Sequence, residues 1–150
     1  MWQSVTRVIV DPNNPDVVLA STAPNFWGSY TSNIMKSTDG GLSWNSVFNA
    51  QAGAIEQIVA SPNDFNILYA GQSGVGVLGS LDAGDTWSLI SNGMSPSSRV
   101  ELAVSPVDPT RLYASVVGGL DASQEADIYY SNDCGNNWTL ITDPSNTVDV

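Results

Sequence analysis

Apolar residues come in short runs along this chain, never in helical stripes. Residues 8–20 read VIVDPNNPDVVLA, an apolar run, a turn built on Pro and Asn, and a second apolar run. The figure returns at 58–70 as IVASPNDFNILYA and at 102–114 as LAVSPVDPTRLYA. Runs this short, separated by Pro with Asn or Asp, are strand–turn–strand chemistry. No segment carries a helical period, and Gly, Pro, Asn and Ser punctuate the chain throughout. Pro12, Pro62 and Pro106 align three units 50 and 44 residues apart. A period in the forties made of β segments predicts propeller blades.

Each predicted blade has four strands. Strand A falls near 6–10, 55–60 and 100–104, and strand B near 17–21, 67–71 and 111–116. Strand C falls near 33–37, 76–80 and 127–131, and strand D near 43–48, 86–91 and 137–142. The blades then span about 5–49, 55–93 and 99–143, and the last residues, 147–150, read as the start of a further strand. Between strands C and D lies an octapeptide written three times: STDGGLSW at 37–44, SLDAGDTW at 80–87 and SNDCGNNW at 131–138. Turn chemistry accounts for it. Gly41, Gly84 and Gly135 supply positive φ, and Asp39, Asp82 and Asp133 accept backbone N–H groups within the turn. Trp44, Trp87 and Trp138 fold beneath the hairpin and bury apolar surface. With Ser37, Ser80 and Ser131, these residues form a structural clasp, and their carboxylates are read as structural and not catalytic.

Composition narrows the function. Four basic residues face fifteen acidic ones, for a net charge of −11. That field repels phosphate, so nucleic acid is excluded as a partner, and an anionic membrane surface with it. No apolar run reaches membrane-spanning length, and no cofactor is indicated. The chain has no His, which removes the commonest general base and metal ligand. Its one cysteine, Cys134, makes neither an internal disulfide nor a zinc site and is read as an exposed turn residue. No metal site is expected. The opening MWQSVTRVIVDP lacks the charged and apolar regions of a signal peptide.

The octapeptides resemble the Asp-box, or BNR, repeat, Ser-x-Asp-x-Gly-x-Thr-Trp, with Ser43 and Asn137 replacing Thr in the first and third copies. The resemblance implies an all-β fold, a β-propeller fragment of three four-stranded antiparallel blades with Asp-box C–D turns. Families of this kind include sialidases, xyloglucanase-type glycoside hydrolases, sortilin-like receptor domains and photosystem assembly factors. Their propellers close with six or more blades, and three blades leave two open edges. Missing blades of a longer chain, or self-assembly into a closed ring, would complete the structure. The lack of any edge-protecting feature favours the longer chain.

Two features mark where a ligand would bind. From anchor Pro to box Ser the gaps are 25, 18 and 25 residues, so blades 1 and 3 carry insertions between strands B and C. The first holds Phe26, Trp27 and Tyr30, a candidate stacking platform for sugar or peptide. The second holds Asp121, Glu125 and Asp127, which read chiefly as solvated acids. The other feature is strand A, expected to line the central channel. Arg7, Gln57 and Glu101 stand five residues before each anchor Pro, with Glu56 and Arg99 beside them. Arg7, Gln57 and Arg99 are candidate ligand contacts. Glu56, Glu101 and Asp121 are the candidates for a hydrolytic carboxylate.

Three functions follow. A sialidase is disfavoured, because the chain has three Arg in all and no Arg-Ile-Pro phrase. A xyloglucanase-type hydrolase would need two facing carboxylates, and no such pair is identifiable here. The leading reading is a non-catalytic propeller module of a secreted or cell-surface protein, binding carbohydrate or protein ligands or acting as a scaffold. A part of a xyloglucanase-type hydrolase is the alternative.

Overall fold

The computed structural model describes residues 4–23, 31–96, 98–117 and 126–142. Within them the chain forms three four-stranded antiparallel sheets, each with its strands in chain order. Blade 1 contains β1 (Ser4–Val10), β2 (Val18–Ala23), β3 (Ser32–Ser37) and β4 (Asn45–Ala50). Blade 2 contains β5 (Ile55–Ser61), β6 (Asp64–Gln72), β7 (Gly76–Ser80) and β8 (Ser88–Leu89). Blade 3 contains β9 (Val100–Val104), β10 (Leu112–Val117), β11 (Ala126–Ser131) and β12 (Thr139–Thr142). The predicted further strand at 147–150 lies outside the described residues, as do Phe26, Trp27, Tyr30, Asp121 and Glu125.

The A–B turns use their acids as expected. Asp11 accepts the Asn13 N–H and Asp64 the Asn66 N–H, both at 2.9 Å. Strand D departs from the sequence reading. It begins one residue after each Trp, because the seventh box residue is still bonded back to the box Asp. In blade 2 it is only two residues long. There Ile90 N–H still donates to Val77 O at 2.8 Å, but the next rung is taken by a side chain, Ser91 Oγ accepting the Val77 N–H at 2.7 Å.

Alternate residues of a strand face opposite sides. Blade 2 is therefore apolar on both. Ile58, Ala60, Leu68, Ala70 and Leu78 pack with Leu19, Ile34 and Ala50 of blade 1. Val59, Ile67, Tyr69 and Val77 pack with Val100, Leu102, Leu112, Ala114 and Val116 of blade 3. The junctions are also tied by polar side chains. Thr6 Oγ1 donates to Ile55 O at 2.7 Å, and the buried Ser32 hydroxyl accepts the Ile55 N–H at 2.9 Å while donating to Thr22 O. Between blades 2 and 3, Gln57 Oε1 accepts the Leu102 N–H at 2.5 Å. The innermost strand of blade 2, β5, contacts both β1 and β9, which places the three strand-A segments side by side.

Candidate ligand-binding site

The three octapeptides are one clasp built three times. The Ser hydroxyl donates to Asp Oδ1 at 2.7–2.8 Å and accepts the Gly N–H at 2.9 Å. The Asp also closes the turn. Its Oδ1 accepts the N–H of the seventh residue at 2.9 Å, and its Oδ2 accepts that residue's side chain at 2.5–2.7 Å. Ser43, Thr86 and Asn137 are thus equivalent for one reason: each can donate. Bonds from the seventh residue, then from Ser, hold Asp39 and Asp82 down at about 2 and also lower Asp133. The fifth-position glycines have φ of 90°, 85° and 84°. The fourth position is left-handed too, at Gly40, Ala83 and Cys134, and its N–H reaches back 3.0 Å to the A–B turn at Asp16 O, Asn66 O and Thr110 O.

The carboxylates of the box are consumed by this network. The Trp residues differ. Trp44 and Trp87 are half-buried and donate to Gly41 O and Gly84 O at 2.9 and 3.0 Å. Trp138 is 4% exposed and donates to Ile90 O of blade 2 at 2.8 Å. Cys134 is not the exposed turn residue expected: it is half-buried, with its thiol near Tyr69 of blade 2. Burial, with the Cys134 thiol adding to it, pushes the Tyr69 hydroxyl up to about 12. That hydroxyl has no completed hydrogen bond, so the thiol acts on it by proximity without a well-directed bond. Sequence reasoning missed this pair, since nothing in spacing joins residues 69 and 134.

The strand-A candidates occupy equivalent places. Arg7 pairs with Ser21, Gln57 with Gly71 and Glu101 with Ser115, each opposite the same position of strand B. Their environments differ. Arg7 is exposed. Gln57 has its carbonyl committed to Leu102, so its role is to join blades as well as to offer an amide. Arg99 donates through Nε to Glu101 Oε1 at 2.6 Å. Glu101, with Glu56 behind it, raises the Arg99 pKa. The arrangement is a row of hydrogen-bonding groups in which Glu101 carries a paired charge. Asp127, on β11, lies opposite Val116. Among the described residues no cluster of His, Cys, Asp or Glu could hold a metal ion, and no helix is long and apolar enough to cross a membrane.

Between blades 1 and 2 an open groove of about 350 Å³ is lined by Phe48, Trp87 and Leu89 with Asn49 and Gln51.

The profile of the Sortilin-Vps10 family, described as Sortilin, neurotensin receptor 3, matches residues 32–149. The chain belongs to the Sortilin-Vps10 family. Among curated proteins, this Sortilin-Vps10 chain is 29% identical to a xyloglucanase of Paenibacillus sp, over 91% of its own length and 16% of the relative's. It is 27% identical to xyloglucanase Xgh74A of Acetivibrio thermocellus, over 93% of its length and 19% of the relative's. The chain thus spans under a fifth of the length of these two relatives. The GH74 enzyme of Niastella koreensis superposes with a TM-score of 0.69 at 24% identity, covering 93% of this chain and 22% of that one. That likeness establishes the fold, a propeller portion of three blades.

Proposed function

We propose that this chain is a glycan-recognising portion of a xyloglucanase-type propeller, working outside the cell. The observation that carries the reading is that the curated relatives matching more than nine-tenths of the chain are xyloglucanases. This favours the hydrolase alternative of the sequence reading over a free-standing non-catalytic module. The ligand is a neutral β-glucan, which suits a site of amides, guanidinium groups and aromatic rings. Arg7, Gln57 and Arg99 supply hydrogen bonds, and Phe26, Trp27 and Tyr30 supply the stacking surface from the blade 1 insertion. Within this portion the task is binding. Glu101 is engaged in an ion pair with Arg99.

Calorimetric titration with xyloglucan oligosaccharides tests this. Binding is expected, with cello-oligosaccharides weaker, and Trp27→Ala is expected to weaken it roughly tenfold by removing a stacking face. No binding to xyloglucan, or equal binding to an unrelated mannan, overturns the reading.

A further inference from the structure

The junction of blades 1 and 2 and the junction of blades 2 and 3 follow one plan but differ at one pair of positions. Seven residues after the anchor Pro, strand B carries Leu19 in blade 1 and Tyr69 in blade 2. The two hold the same register, Leu19 between Ile9 and Lys36, Tyr69 between Val59 and Gly79. Each packs toward the following blade. Leu19 lies on the blade 2 box, where a Cβ on Gly84 would come 2.3 Å from its Cδ2. The fourth box residue there is Ala83, packed against the same apolar cluster as Leu19. In blade 3 the fourth box residue is Cys134. Leu and Ala at the first junction thus become Tyr and Cys at the second. The hydroxyl that the tyrosine adds lies near the sulfur that the cysteine adds.

That hydroxyl is unsatisfied. Tyr69 is 2% exposed, and its oxygen has no hydrogen-bond partner among the described residues. A buried donor without an acceptor is costly, and thiol sulfur is a weak acceptor. Burial and the thiol push the phenol up to about 12, so it remains a donor near neutral pH. An oxygen atom bound to the Cys134 sulfur would supply the missing acceptor. The surroundings let such an atom arrive and stay. Cys134 is half-buried. Ala83, at the same place in a blade flanked on both sides, is half-buried too, so access belongs to the box turn itself. Oxidised sulfur can be lost to a neighbouring backbone nitrogen or to a second thiol. The Gly135 N–H is held by Ser131 Oγ at 2.9 Å, and Cys134 is the one cysteine in these 150 residues.

We propose that Cys134 is a modification site for a small peroxide, which converts its thiol to a sulfenic acid whose oxygen accepts the Tyr69 hydroxyl. The sulfur, as thiolate, attacks one peroxide oxygen. The S–O bond forms as the O–O bond breaks. Sulfur gives up an electron pair and is oxidised, and the peroxide is reduced. Its other oxygen leaves as hydroxide, takes up the proton released by the thiol and departs as water. The new hydrogen bond ties the box turn of blade 3 to strand B of blade 2. It exists only in the oxidised chain, so oxidation tightens this junction and leaves the Leu19–Ala83 junction as it was.

The test treats the folded 150-residue chain with hydrogen peroxide and, after a variable delay, with dimedone, which captures sulfenic acids. Peptide mass mapping is expected to place the adduct at Cys134. Tyr69→Phe keeps the ring and removes the donor. It is expected to leave the reduced chain as stable as before, since the hydroxyl it deletes is unpaired. The time over which dimedone still finds the sulfenic acid is expected to shorten about fivefold in the variant, the worth of one hydrogen bond. Peroxide is also expected to raise the thermal midpoint of the wild-type chain. That rise should vanish in Tyr69→Phe and in Cys134→Ala, which restores the residue of blade 2 and controls for methionine oxidation. No adduct at Cys134 in the folded chain overturns the proposal. So does an adduct equally long-lived in Tyr69→Phe, or a thermal shift that persists in either variant.

Discussion

At the seventh box position the chain places Ser43, Thr86 and Asn137, and each donates to the second carboxylate oxygen of its Asp. The clasp therefore depends on an ionised acid. Asp39 and Asp82 titrate at about 2 in the folded chain against an ordinary 3.8, so folding holds them ionised more strongly than the unfolded chain does. Their contribution to stability is complete above the ordinary value and is lost as pH falls toward the folded one. Thermal midpoints are expected to fall between pH 4 and pH 2 by this route, and Asp82→Asn to shrink that fall. An acid profile unchanged in the variant would refute the assignment. The Asp and Gly of the box could be read from sequence, because Asx turns and positive φ have few other residues to use. The left-handed Ala83 and Cys134 could not, since only glycine advertises that conformation. It is imposed here by a bond to the A–B turn, a partner more than fifteen residues away in sequence.

At the scale of the element, the blade is a sheet with two apolar faces, and its strength lies in the junctions. Leu68 is fully buried between blades 1 and 2, while Leu89 on the outer strand is exposed. Leu68→Ala is expected to cost about 2–5 kcal/mol in denaturant unfolding. Leu89→Ala should stay within about 0.5 kcal/mol. Comparable losses would mean that the outer strand is covered in solution. Strands A, B and C were legible because apolar runs and Pro turns bracket them closely. Strand D was misjudged at its start because Trp looks like strand, and in blade 2 at its end because a serine hydroxyl replaces a backbone rung. That substitution depends on where Ser91 meets Val77, which no local pattern encodes.

The whole molecule carries a net charge of −11 with four basic residues to offset fifteen acids. Like charges repel within the folded chain more closely than in the unfolded one, and salt screens them over about 10 Å at 0.1 M. The melting temperature is expected to rise between low and physiological salt, and a flat or falling trend would show that local ion pairs outweigh the general field. The candidate site was legible only as places on strands. Arg7, Gln57 and Glu101 were correctly aligned by counting from Pro, yet the engagement of Gln57 with Leu102 and of Arg99 with Glu101 arises between side chains the spacing does not relate. The clasp has one more consequence, for the order in which the chain folds. The bonds between its Ser, Asp, Gly and seventh residue span four residues or fewer, so closing them forfeits little chain entropy. Each blade thus owns a nucleus that forms on a hairpin's timescale before any neighbour arrives, and a repeat copied within the chain brings its nucleus with it.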